Sequence, residues 1–280
     1  MKDCYFLYID ILGFRDMALD KPSRVDALLE VIDKLHAHRH PNFKVIAFSD
    51  TILVYSTDDP RGTDEPGGLD DHRYLVMYSI EFAMDLHERL VGSGIYFRAI
   101  LSWDEFCYRE MDHIQSYYGP ALIRSYEFEK GIPCTGLFID SSLRRHNEHY
   151  PSTRFNDQYD FVFLAHGVDL RLHFGFDIEW PLNSGTELLW DTDLAWGFES
   201  GVAYLHDLHS LMRGTSDPRI RTKALATWDF YASRYPKMCA ILEQTEFNLH
   251  ALADGVDWER IQESRIRDLV SRGLAKGNEQ

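Results

Sequence analysis

The sequence is poor in cysteine. It has four in 280 residues, Cys4, Cys107, Cys134 and Cys239, scattered and without a CxxC pair. That spacing excludes a disulfide framework and points to a reduced, cytoplasmic protein. It also lacks any apolar run of about 18 residues, the length a membrane-spanning helix needs. Its opening MKDCYFLYIDILGF interrupts the apolar stretch with Asp3 and Asp10 and has no small-residue cleavage pattern, so neither export nor a membrane span is expected. Basic residues are few: 29 Lys and Arg stand against 45 Asp and Glu, a net charge of −16. Such a chain repels a nucleic-acid backbone, although a local basic pocket can still take a nucleotide. No internal repeat breaks the chain into units. What is present is apolar material, 45% hydrophobic and 14% aromatic, enough for one large or two small globular domains.

Residues 4–12 (CYFLYIDIL) form a nearly continuous apolar run of strand length, suited to a central strand buried on both faces, with Asp10 as its single charge. Pro22 and Ser23 open a helix carrying Val25, Leu28, Ile32 and Leu35 at helical spacing and ending near His40 and Pro41. Residues 43–49 and 51–57 are strand-like on either side of Asp50, and the short link predicts a hairpin. The stretch 58–71, rich in Gly, Pro and acid, reads as a solvated loop rather than a metal trap. A helix over 72–91 and a strand over 95–102 complete the order β-α-β-β-α-β. Residues 104–109 then suggest a hairpin strand, 119–130 a helix and 136–140 a short strand. After about residue 150 the character changes, with strand-like segments at 159–164, 170–178 and 186–190 and helices at 197–213, 218–234, 237–253 and 257–274. The expected division is a first domain over 1–150 and a mostly helical extension over 151–280, packed on it.

Two carboxylates stand out. Asp10 lies on the first strand and Asp50 at the hairpin tip, and the first and third strands are neighbours in a ferredoxin-like sheet. The pair can therefore meet and hold two divalent ions. Mg²⁺ and Mn²⁺ prefer hard oxygen ligands and leave room for phosphates, and two ions about 3.5–4 Å apart assist displacement at phosphorus. The spacing alone equally allows Asp10 to cap a helix beginning at Gly13 and Asp50 to make an Asx turn.

Ile9-Asp10-Ile11-Leu12-Gly13-Phe14, Phe48-Ser49-Asp50, Phe97-Arg98-Ala99-Ile100 and Tyr118-Gly119-Pro120-Ala121-Leu122 with Glu129 resemble, in order and spacing, the successive motifs of class III nucleotidyl cyclases. The resemblance covers residues 3–140. The wording FSDT and YYGPALIRSYEFEK looks like the bacterial pyrimidine cyclases of the Pycsar antiphage defence system, as do Asp217-Pro218-Arg219-Ile220-Arg221-Thr222-Lys223 and Trp228-Asp229-Phe230-Tyr231. The resemblance implies an α+β, ferredoxin-like cyclase domain with a mostly helical C-terminal extension. It gives Asp10 and Asp50, with the Ile11 carbonyl, the task of binding two Mn²⁺ or Mg²⁺ ions. It also implies a nucleoside triphosphate substrate, a homodimer with composite sites, and a downstream effector that reads the cyclic product.

The departures matter as much. Adenylate and guanylate cyclases carry an Asn and an Arg on the helix after the glycine, and the matching positions here are Ile123 and Glu127. Arg98 and Arg124 are the candidate replacement cations, each with a plain ion pair as the alternative. The positions where purine cyclases select their base are Ile46 and Ser116 here: an apolar Ile46 leaves a purine edge no partner, and Ser116, able to donate or accept, does not tell uracil from cytosine. A pyrimidine is therefore favoured, and UTP before CTP is what the resemblance implies. Phe43 and Lys44 on the same strand are candidates for contacting the base, or else core and solvated face. His36, His38 and His40, and the His206–His209 pair, lack a completing third ligand for zinc. Trp190, Trp196 and Trp228 read as packing anchors. The competing reading, drawn from the lost Asn and Arg, is an inactive module used for nucleotide sensing or association.

Overall fold

The computed structural model describes residues 1–35, 41–57, 71–175, 178–182 and 192–275. Two compact units form within it, one of residues 1–87 with 95–164 and the other of residues 88–94 with 165–280.

The first unit is built on one sheet. Strand β1 (Lys2–Leu12) is followed by helices α1 (Phe14–Asp20) and α2 (Pro22–Asp33), the hairpin β2 (Phe43–Phe48) and β3 (Thr51–Ser56), helix α3 (Asp71–Leu90) and strand β4 (Tyr96–Glu110). Then come β5 (Gln115–Tyr118), α4 (Pro120–Gly131), β6 (Gly136–Asp140), β7 (Ser152–Arg154) and β8 (Tyr159–Val162). The strand order is β2-β3-β1-β4-β6-β8-β7, with β5 paired to the far end of β4. The β1-α2-β2-β3-α3-β4 part, with β1 antiparallel to both β3 and β4, is the ferredoxin-like arrangement expected from the segment order.

β1 is the central strand because its apolar run serves both faces: Tyr5, Phe6, Leu7, Tyr8 and Ile9 are all buried. On α3 the stripe Val76, Ile80, Ala83, Leu86 and Leu90 is buried at the spacing read from sequence. Phe43 stacks on Tyr78 of α3 at 5.1 Å, and the Tyr5 hydroxyl meets His72 Nδ1 at 2.6 Å, so the odd-numbered side of β1 and its partners lies under α3.

Several expectations differ in detail. The separate strands at 95–102 and 104–109 are one strand, because β1 pairs β4 without a break from Lys2–Phe106 to Leu12–Tyr96. The helix read from Pro22 toward His40 gives α2 to Asp33, its last residues lying outside the described set, and a short α1 precedes it. Gly13, at φ 74°, turns the chain from β1 into α1. The sheet also continues through β7 and β8, so the first unit extends to Leu164.

The second unit is helical: α5 (Arg171–Phe174), α6 (Thr192–Gly214), α7 (Pro218–Arg234), α8 (Pro236–Gln244) and α9 (Trp258–Ser271). The strand expected at 170–178 is instead α5. Phe174 N–H donates to Leu170 O and Gly175 N–H to Arg171 O, and Gly175, at φ 72°, ends the turn. The expected strand at 186–190 and the loop at 58–70 lie outside the described residues, as do His36, His38, His40 and Trp190. The helix expected over 237–253 stops at Gln244, because Glu246 and Phe247 take positive φ and turn the Phe247 ring onto His206, His209 and Trp228. Packing of one aromatic side chain thus overrides local helix propensity. Among the described residues no helix is long and apolar enough to cross a membrane.

Candidate active site

The site begins with strand register. Asp10 lies opposite Thr51 on β3 and opposite Arg98 on β4. Asp50 sits in the two-residue turn between β2 and β3, where Ser49 takes φ 55°. The Ile11 N–H donates to the Asp50 carbonyl at 2.8 Å, which ties the hairpin tip to β1 one residue beyond Asp10. The two aspartates predicted to meet therefore lie on adjoining strand ends, in a sheet whose hydrogen bonds hold them there.

Arg98 is the centre of the arrangement. It is 8% exposed. Its Nη2 donates to Asp10 Oδ2 at 3.0 Å and is ion-paired with Glu129 of α4. Its Nη1 donates to the main-chain carbonyls of Glu129 and Ile132 at 2.9 and 3.1 Å, closing the C-terminal end of α4. Burial lowers its pKa, opposed by the charges of Asp10 and Tyr8. Its Nε is buried without a hydrogen-bond partner.

Tyr8 lies two residues before Asp10 on the same face of β1. Its hydroxyl is hydrogen-bonded to the Thr51 side chain. Burial raises its pKa, and the negative charges of Asp10 and Asp50 push the same way. One phenol thus feels both carboxylates. With Glu129 added, two carboxylates hold one guanidinium, and Asp50 acts on the neighbouring Tyr8, so the site carries net negative charge. Asp10, Asp50 and a fixed main chain at Ile11 are hard oxygen donors on a rigid frame, so the donor chemistry fits Mg²⁺ or Mn²⁺. Among the described residues no group of three or more His, Cys, Asp and Glu is placed to hold a metal ion, at Asp10 and Asp50 as at His206 and His209.

The other candidate residues are spread out. Arg124 pairs with Asp104 at 2.7 Å, and its side chain is 70% exposed. Asp104 lies six residues along β4 from Arg98, roughly 20 Å at strand rise, so the two candidate cations are not brought together. Ile46 is in register with Leu53, which in turn faces Tyr8, so Ile46 shares the face of Tyr8 and Asp10; Lys44, in register with Tyr55, is exposed on that same face. Phe43 is different: it is buried against Tyr78 on the opposite face and is a core residue, the alternative that its strand position left open. Ser116 pairs with Arg109 on the β4–β5 arm, whose Tyr117 ring lies 6.4 Å from Phe48. Ile123 and Glu127 are both exposed on α4. Trp228 is buried, as an anchor should be.

Sequence reasoning missed Tyr8, Thr51 and the role of Glu129. The first had a signal, since strand period 2 places Tyr8 beside Asp10. Glu129 stood in the motif resemblance, but its pairing with Arg98 had no local signal, because 31 residues separate the two.

These features define an α+β domain with a paired-carboxylate site at the ends of its central strands. The chain matches no family model and no curated protein. Among solved structures it is similar to the monomeric guanylyl cyclase domain of the RhoGC fusion protein from the aquatic fungus Blastocladiella emersonii, at 17% identity over 58% of this chain and 95% of that one, TM-score 0.43. It is similar also to the adenylyl cyclase CyaB from P. aeruginosa, at 12% identity over 58% and 94%, TM-score 0.40. A third is an adenylate/guanylate cyclase/hydrolase from Silicibacter pomeroyi, at 14% identity over 57% and 94%, TM-score 0.38.

Proposed function

We propose that this chain is a metal-dependent nucleotidyl cyclase that converts a pyrimidine nucleoside triphosphate, UTP before CTP, into its 3′,5′-cyclic monophosphate and pyrophosphate. The observation that supports the reading is the main-chain hydrogen bond from Ile11 to Asp50, which sets the turn carrying Asp50 beside the strand end carrying Asp10, within the motif order that resembles class III cyclases. In the reaction the ribose 3′-oxygen bonds to the α-phosphorus, the bond from that phosphorus to the bridging oxygen of the β-phosphate breaks, and the hydroxyl proton leaves to solvent. Mg²⁺ or Mn²⁺ held by Asp10, Asp50 and the Ile11 carbonyl would supply Lewis-acid stabilisation of the phosphate oxygens. The chain's own residues do the rest. Arg98 fixes the orientation of the Asp10 carboxylate by a charge-assisted hydrogen bond. Tyr8, kept neutral by burial and by the two carboxylates, packs beside them as a wall with one polar tip. The part-exposed Ile46 gives a purine edge no polar partner.

A homodimer belongs to this reading. Phe48, Tyr118, Ile123 and Tyr126 are large apolar side chains exposed on the first unit, a composition that suits burial against a second copy. The further assignments, a cytoplasmic location, a role in antiphage defence and an effector for the product, rest on the motif resemblance alone. The division into a catalytic part near residues 1–150 and an extension rests on the sequence character together with that resemblance.

A second reading is favoured by Ile123 and Glu127, which stand where active purine cyclases carry Asn and Arg: a catalytically silent module that binds nucleotide. One assay separates the two. Purified protein with Mn²⁺ and all four ribonucleoside triphosphates at equal concentration is expected to yield cyclic UMP, or failing that cyclic CMP. Cyclic AMP or cyclic GMP as the main product would overturn the pyrimidine assignment, and no product from any triphosphate would favour the silent module.

A further inference from the structure

The second unit carries an open cavity of about 280 Å³, bounded by the turn at Val168–Arg171, the segment Ile178–Trp180 and the junction of α7 with α8. Small-molecule sites run about 300–1,000 Å³, so this one suits a compact ligand. Arg171, Arg234 and Lys237 line it against one carboxylate, Asp169. In a chain of net charge −16 that is a local excess of positive charge.

The cationic side is organised from beneath. Asp169 is buried and accepts from Arg234 Nη2 at 2.7 Å, from Arg171 Nε at 3.3 Å and from the Tyr235 hydroxyl at 3.1 Å. Burial by itself raises the Asp169 carboxyl, but the hydrogen bonds from Arg234 and Arg171 outweigh it and hold the pKa below its ordinary value. The carboxylate therefore stays charged and orients two guanidinium groups, lowering the entropy cost of using them on a ligand. Lys237 takes no part in holding Asp169, and a buried ion pair needs no cavity beside it. Pro236, Lys237 and Met238 are the first turn of α8, and no side chain caps that helix end. Its dipole adds to the positive field. The remaining wall is apolar and aromatic. Trp180 stacks on Phe198 at 5.5 Å, and two residues on, Leu182 N–H donates to Leu252 O at 2.8 Å, so the indole stands on an anchored segment.

We infer that this cavity binds a phosphorylated ring compound of nucleoside monophosphate class, its phosphate held by Arg171, Lys237 and the start of α8 and its ring lying along Trp180 and Ile178. The inference does not depend on the proposed cyclase reading, because the residues involved belong to a different unit from Asp10 and Asp50.

Isothermal titration calorimetry on the full chain carrying Asp50→Ala tests it, with UMP, AMP, uridine and inorganic phosphate as probes. UMP or AMP is expected to bind at one site per chain, with uridine and phosphate each at least about tenfold weaker. Lys237→Glu, at an exposed position outside the Asp169 network, is expected to leave the melting temperature unchanged and to weaken nucleotide binding at least about tenfold, the scale of one charge-assisted contact. No binding of UMP or AMP at millimolar concentration, or binding indifferent to Lys237→Glu, would overturn the inference. Uridine binding as tightly as UMP would refute the phosphate assignment, and phosphate binding as tightly as UMP would refute the ring assignment.

Discussion

Replacing Arg98 by alanine removes the one cation between Asp10 and Glu129, whose side chains are only 15% and 10% exposed. It also strips two acceptors at the end of α4, the Glu129 and Ile132 carbonyls, of their donor. Breaking a buried ion pair by deleting one partner costs about 3–5 kcal/mol, because the other charge is left in a poor solvent. For a unit of this size each kcal/mol moves the melting temperature by roughly 2–4 °C, so Arg98→Ala should melt about 10 °C below the parent protein. The deficit should depend on pH in a defined sense. In the variant, burial holds Asp10 and Glu129 above the carboxyl pKa of about 4 found in unfolded chains. The folded state then binds more protons than the unfolded one, so the deficit is full at neutral pH and shrinks as the pH falls through the raised folded values. Arg98→Lys should fall between, since an ammonium keeps the charge but cannot reproduce the planar fork that spans a carboxylate and two carbonyls. Thermal melts by circular dichroism at pH 5 and pH 7.5 measure both effects. A shift below about 2 °C at pH 7.5, or a deficit that grows on acidification, would refute the account of Arg98 as the buried pin of the site.

Asp50→Ala should abolish nucleotide cyclisation while moving the melting temperature by only a few degrees, because Asp50 joins the hairpin to β1 through its main-chain carbonyl, which alanine retains; product formation near the parent rate at saturating Mn²⁺ would remove it from the site. Asp10→Asn should also abolish turnover yet cost more stability than Asp50→Ala, since it weakens the pair with Arg98; equal melting temperatures for the two variants would contradict this. Arg124→Ala takes an exposed guanidinium from the largely buried Asp104 and should cost about 1–3 kcal/mol in urea melts, more than a surface pair and less than Arg98→Ala, and full cyclase activity in that variant would leave Arg98 as the remaining candidate cation. Gly167→Ala should destabilise the second unit, because a Cβ there would lie 2.1 Å from the Gly197 carbonyl oxygen on α6; such overpacking costs about 1–3 kcal/mol or more, and an unchanged urea midpoint would show that α6 can move aside.

Much of this protein was legible along the chain. The apolar run of β1, the hairpin about Asp50, the helical stripe of α3 and the Pro218–Arg234 helix are local patterns, and local patterns follow from strand and helix periods and from the conformational limits of Pro and Gly. That the end of β1 lies beside the β2–β3 turn was readable too, because segment order restricts a β-α-β-β-α-β chain to few sheet topologies. Tertiary structure decided what periodicity does not encode. It turned Phe43 into the core and left Ile46 facing the site side, a choice made by which face α3 covers. It joined Arg98 to Asp10 and Glu129 while giving Arg124 to Asp104, which depends on where α4 crosses β4. It ended α8 at Gln244, where packing the part-buried Phe247 ring on His206, His209 and Trp228 outweighed one more helical turn. And it gathered Asp169, Arg171, Arg234 and Lys237 around one cavity from segments more than 60 residues apart. Contacts across such separations are set by the summed packing of whole elements, and no window of sequence carries that sum.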